Sequence, residues 1–183
     1  DIGFFFTDID SRIKPKMLND DIILSGYQGT FGVLNRKLIT KEQIQSLKDI
    51  ILNMGLTGIN KYYYQLSDGQ KRKVLIARSI INKPKILILD EPTSMLDIRS
   101  KFDLLLIMSK LTKAGITLLY VTNDIQNIIK ETDRVILLNQ GNIIADGKPS
   151  EVINSENLSK LYNYNLSVHN IDGSWKIAPN NAT

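Results

Sequence analysis

Apolar runs and polar breaks follow two different periods along the chain, and that alternation predicts most of its elements. Ile2–Phe6 is a short apolar run suited to a buried strand, and the polar stretch Thr7–Lys16, with Pro15 inside it, reads as a loop. Asn19-Asp20-Asp21 ahead of Ile22-Ile23-Leu24 reads as a capped helix with acids in its first turn, where the helix dipole favours them. Gly26 through Arg36 reads as a connector. Thr40-Lys41-Glu42-Gln43 fits a capping box, and Ile44, Leu47, Ile51 and Leu52 recur at helical spacing until Gly55 ends the run. From there the elements alternate in type: helix Asp68–Ile81, strand Ile86–Leu89, helix Ile98–Leu111, strand Thr117–Val121, helix Asp124–Lys130, strand Arg134–Leu138. Such alternation predicts parallel strands covered by helices, because each crossover carries the chain back along a sheet face. Asn139-Gln140-Gly141-Asn142 is turn chemistry joining two strands, 135–138 and 142–145, as a hairpin. After Ser150 a capped helix and a second one near Leu158–Tyr162 are expected, then a hairpin across Ser167–Ile177 centred on Asp172-Gly173, with Pro179–Thr183 fraying.

Composition narrows the chemistry. With 183 residues, 43% of them hydrophobic, the chain is large enough for one substantial core. It has no cysteine and a single histidine, His169, so disulfide frameworks, thiolate chemistry, histidine-based metal clusters and catalytic triads have almost no material. No run approaches the roughly 20 apolar residues that span a bilayer. The net charge of +4 is dispersed and mixed in sign, which reads as a solvated surface rather than a nucleic-acid footprint.

Candidate chemistry sits in two segments. Ile86-Leu87-Ile88-Leu89-Asp90-Glu91 is an apolar strand ending in adjacent carboxylates, as a magnesium-nucleotide site needs: one acid orders the metal's shell, the other orients a water. Leu66-Ser67-Asp68-Gly69-Gln70 opens a helix with a hydroxyl and backbone N–H groups that suit an anion, although Ser67 also fits an ordinary helix cap. In order and spacing these segments resemble the ATP-binding subunit of ABC transporters. The segment 66–70 stands where that family has its LSGGQ-type signature, and Ile86–Pro92 where it has Walker B. Ser94-Met95-Leu96-Asp97 resembles the D-loop, and Thr117–Val121 leads through Thr122 to Asn123, where the switch histidine is usual.

The resemblance implies an α/β, P-loop NTPase-like ABC ATPase core with a mostly parallel sheet and a helical subdomain. It implies ATP and Mg²⁺ as cofactors, Asp90 acting on the metal through a water, and Glu91 as the catalytic carboxylate. Ser67, Gly69 and Gln70 would contact ATP held by an opposite subunit, and Asp97 would help join the two sites across a dimer. Two positions depart from the pattern: the Q-loop glutamine falls near Thr7, and the switch histidine on Asn123. Threonine is shorter, and an asparagine amide can hydrogen-bond a γ-phosphate oxygen but carries no proton or charge, so slow hydrolysis is expected. Asn123 can equally cap the helix expected from Asp124.

Nothing in the sequence matches the G-x-x-x-x-G-K-[ST] phosphate loop; Gly147-Lys148 is followed by Pro149 and preceded by Asn142 where the first glycine belongs. The N-terminal strand, P-loop and helix are therefore expected to lie before Asp1, and the isolated chain to be inactive. The expected division is a partial ATPase domain over 1–163, with a helical subdomain about 17–66 and an α/β part about 67–163, then a tail or hairpin over 164–183. Expected partners are a second ATP-binding subunit and a transmembrane permease, not nucleic acid, at the cytoplasmic face of the membrane. The signature is also similar to that of iron-complex and related metal importers. Alternative readings are an ABC ATPase of nucleic-acid or translation-factor type and a degenerate, partner-binding subunit. Lys71-Arg72-Lys73 reads as the exposed face of the helix after the signature, with Val74, Leu75, Ala77 and Ile81 inward. Tyr62-Tyr63-Tyr64 reads as a loop packing on the helical subdomain or a membrane partner.

Overall fold

The structure, a computed structural model, describes residues 2–31 and 35–180, with the backbone only at Thr7. The chain divides into two compact units, residues 1–123 and 124–183.

The first unit is built on a parallel sheet in the order β1 (Ile2–Phe5), β2 (Ile86–Asp90), β3 (Thr117–Val121). The register sets Phe5 beside Leu89 and Leu89 beside Tyr120. Each crossover is helical. Between β1 and β2 run α1 (Asn19–Leu24), α2 (Lys41–Asn53) and α3 (Asp68–Ile80), and between β2 and β3 runs α4 (Ile98–Lys113). The 3₁₀ turn Thr7–Arg12 replaces the plain loop expected after β1.

Two capping boxes start helices where the sequence placed them. Thr40 Oγ1 accepts from Gln43 N–H while Gln43 Oε1 accepts from Thr40 N–H, and Ser67 and Gln70 do the same at α3. Helix α2 buries only Leu47 of its apolar stripe; Leu52 is 69% exposed.

Asn19 does not cap α1. Its fully buried amide donates to the Ile59 carbonyl and its Oδ1 accepts from Lys61 N–H, pinning the two segments together, and the capping position is Leu18. The expected connector at 26–36 begins as a 3₁₀ turn, Ser25–Gln28, closed by left-handed Gly29; residues 32–34 lie outside the described residues. Arg78 ties this turn to α3: its Nη2 donates to the Thr30 carbonyl, its Nε to Ser25 Oγ, and its guanidinium stacks 3.9 Å over Phe31. Burial pushes its pKa down to about 10.

The second unit holds the antiparallel hairpin β4 (Val135–Asn139) with β5 (Asn142–Gly147), helices α5 (Pro149–Val152) and α6 (Ser155–Tyr162), and the hairpin β6 (Leu166–Ile171) with β7 (Ser174–Pro179). Both hairpin turns put two consecutive residues at positive φ, Gln140-Gly141 and Asp172-Gly173, the backbone that matches strand twist in a two-residue loop. Ile125, Leu137, Val152, Ile153, Leu158 and Leu166 form its core.

The expected hairpin of 135–138 with 142–145 forms and runs on to Gly147; among the described residues β4 pairs with β5 alone and does not also continue the parallel series. One expectation fails here. The expected helix Asp124–Lys130 is a single 3₁₀ turn, Ile125–Asn127, capped by Asp124 rather than Asn123. Three β-branched isoleucines within seven residues lose side-chain freedom in a helix, and so short a helix is not self-supporting.

Candidate functional site

Strands β1, β2 and β3 all run the same way, so their carboxyl ends gather along one edge of the sheet, where ligands of open α/β sheets bind. Asp90 closes β2 opposite Val121, and Glu91 N–H donates to the Val121 carbonyl at 3.0 Å, two residues before Asn123. Thr7 begins the turn two residues past the end of β1, so its backbone belongs to this edge too; its side chain lies outside the described residues. The carboxylates of Asp90 and Glu91 have no hydrogen-bond or ion-pair partner among the described residues. Asp90 is exposed, Glu91 half-buried.

Glu91 is held by its backbone. Its φ of +45° lies in the left-handed region, which costs a residue with a Cβ on the order of 1 kcal/mol or more. What holds it there is a tight turn over buried Pro92 and Thr93: Ser94 donates both its N–H (3.2 Å) and its hydroxyl (3.0 Å) to the Glu91 carbonyl.

The start of α3 packs against the start of α4. A Cβ at Gly69 would fall 2.4 Å from Ser100 Oγ and 2.8 Å from Ser100 Cβ, so the close approach requires glycine. Asp97 caps α4, accepting from Ser100 N–H (3.0 Å) and Ser100 Oγ (2.6 Å), and these bonds hold its carboxyl below the usual range. Ser67, Gly69 and Asp97 thus sit on adjoining helix ends, with Ser67 and Gln70 engaged in their own capping box. Asp68 points outward and lies 3.6 Å from Lys71 Nζ, which offsets its negative charge beside the helix start.

The basic run after the signature is not a plain exposed face. Lys71 lies over the ring of Tyr63 (5.6 Å), Lys73 pairs with Asp103 (3.1 Å), and Arg72 turns inward over Phe5 (5.0 Å) and donates to the Ser94 carbonyl (3.2 Å). Burial lowers the pKa of Arg72. The signal was in the spacing: Gly69, Arg72, Ile76 and Ile80 fall on one helical stripe, and three of the four are buried. Of the three tyrosines, Tyr62 and Tyr64 are exposed and stacked on one another, while Tyr63 is buried and its hydroxyl donates to Asp10. Burial, then that bond, raises its pKa well above the usual phenol range.

Among the described residues no three His, Cys, Asp or Glu side chains cluster as a metal cage. Magnesium needs none, since it keeps several waters and takes one or two carboxylates plus substrate phosphates; a lone unpartnered Asp90 at the sheet edge fits that role. No helix among the described residues is long and apolar enough to cross a membrane.

The ABC transporter family profile matches residues 2–94. The energy-coupling factor transporter ATP-binding protein EcfA2 of Methanospirillum hungatei JF-1 is 34% identical over 158 residues, 86% of this chain and 38% of that protein. The spermidine/putrescine import ATP-binding protein PotA of Borrelia garinii subsp. bavariensis is 32% identical over 191 residues, 94% of this chain and 53% of that protein. The chain therefore spans between 38% and 53% of the length of these two curated relatives. A solved structure of an inward-facing transporter assigned to the metal-chelate ABC type superposes with a TM-score of 0.77 at 25% identity, covering 96% of this chain and 70% of that one.

Proposed function

The chain belongs to the ABC transporter family of ATP-binding subunits, and from that premise we propose that it carries the water-activating half of an ATPase site that energises solute uptake. The observation that carries this reading is the pair of carboxylates at the end of β2, without a hydrogen-bond or ion-pair partner among the described residues, one of them on a turn with positive φ. Asp90 would hold Mg²⁺ through a water. The metal, when bound, neutralises charge on the phosphates. Glu91 would orient and polarise the attacking water, its half-buried carboxylate keeping more of its field than a fully solvated one.

Ser67, Gly69 and Gln70 would meet ATP on an opposing subunit through backbone N–H groups and the α3 dipole, with Asp97 beside them at the dimer contact. Asn123 would donate its amide to a phosphate oxygen without supplying charge, and the threonine at position 7 is shorter than the glutamine usual there, both in keeping with slow turnover. The helical segment about 17–66 would face a transmembrane permease at the inner side of the membrane. The names of the relatives support an importer, with polyamine and metal-chelate solutes as the candidate classes.

The test is Glu91→Gln in the complete subunit. Single-turnover hydrolysis should fall by about 10²-fold or more, with ATP binding retained, because the amide keeps the shape and loses the charge. An unchanged rate would reduce Glu91 to a turn residue.

A further inference from the structure

Glu91 poses a placement problem. Its side chain has no partner among the described residues, so the carboxylate is only as well positioned as the turn beneath it. That turn is closed by Ser94, and the Ser94 carbonyl is in turn held from outside, by Arg72 Nη2 at 3.2 Å. The same guanidinium lies 5.0 Å over the ring of Phe5, the residue that ends β1 and pairs with Leu89 on β2. Arg72 stands on the second turn of α3, the helix that Ser67 opens. One side chain thus joins the signature helix, the edge of the sheet and the Glu91 turn.

We infer that Arg72 is a positioning residue: by latching the Ser94 carbonyl it fixes the Glu91 carboxylate and makes its placement depend on where the signature helix stands. The chemistry of the contact favours arginine specifically. A planar guanidinium stacks its face on an aromatic ring while donating in its own plane to a carbonyl, and an ammonium has no such plane to divide between the two. The consequence is directional. A shift of α3, from whichever contact it originates, is passed to the water-activating group through a single hydrogen bond. This rests on the ATPase reading above, since only a carboxylate that acts on a water needs such placement.

The experiment compares Arg72→Met, which keeps length and packing over Phe5 but donates nothing, with Arg72→Lys in the complete ATP-binding protein. For Arg72→Met, kcat should drop about tenfold while KM for ATP stays within about twofold, the pattern of one lost charge-assisted hydrogen bond that serves placement rather than binding. Amide hydrogen exchange over residues 93–96 should accelerate while the rest of the chain is unaltered, and Arg72→Lys should recover part of both effects. An unchanged kcat, a rise in KM alone, or exchange that accelerates everywhere would overturn the inference. Should the parent protein hydrolyse no ATP, the ATPase reading fails, and the exchange pattern alone decides whether the latch exists. Should the methionine variant not fold, the lysine variant is judged against the parent on the same measurements.

Discussion

On one face of the three-stranded sheet, Phe5, Leu87 and Leu89 are completely covered, with α3 and α4 packed against the strands; on the other, Ile2, Phe4, Ile86, Leu119 and Val121 carry equally apolar side chains into solvent. Register makes the comparison exact in position: Leu89 and Ile88 are chain neighbours, yet Leu89 is 0% exposed while Leu119, paired with Ile88, is 55% exposed. Strands that are apolar on both faces are the mark of parallel sheets covered on both sides. Burial within these residues reaches one side, so the two faces should answer differently to the same kind of substitution. By the alternation of side chains Asp90 points to the bare side, which places the metal-binding candidate on the face still open to a ligand or another layer.

The largest effect is expected on the covered face. Leu89→Ala should destabilise the chain by about 3 kcal/mol, lost burial plus a cavity that α3 and α4 cannot close, as read from denaturant unfolding. A loss below about 1 kcal/mol would mean that the face is less tightly packed than its burial indicates. Next comes Gly3→Ala. A Cβ there would lie 2.4 Å from the Ser79 carbonyl of α3 and 3.1 Å from both Pro84 and Leu87, so the helix would have to move off β1. About 1–3 kcal/mol and a lower melting temperature are expected. The smallest effect belongs to the bare face. Leu119→Thr should change stability by no more than about 0.5 kcal/mol while reducing the binding of an apolar dye such as ANS. If Leu119→Thr costs as much as Leu89→Ala, the bare face is covered in solution and the contrast collapses.

What the sequence displayed, and what it concealed, follows the range of the interactions. Thr40 with Gln43, Ser67 with Gln70, and the Asp172-Gly173 turn were legible because each is settled within four residues. The carboxylate pair was legible as well, because an apolar strand ending in Asp90-Glu91 fixes its own place at the sheet edge. Asn19 misled, since its amide serves Ile59 and Lys61, some forty residues away, in preference to its own helix. The hairpin of β4 with β5 was legible from its turn, but the parallel series stops at β3, because alternation of type reports crossovers only when the intervening segment is a helix, and the segment at Asp124–Lys130 is one turn. Arg72 was read by charge when its helical stripe, shared with Gly69, Ile76 and Ile80, was the better guide. The latch on Ser94 needed the fold itself, since nothing local couples residues 72 and 94.

The positive φ of Glu91 has a consequence for anyone who improves this protein by selection. Glycine adopts that backbone without a steric penalty, so a screen that rewards thermal resistance alone has reason to favour Glu91→Gly, and a screen for turnover has reason to remove it. Under the proposed water-activating role, position 91 is where the two criteria part, and a library sorted on folding should drift there toward well-behaved proteins that no longer work.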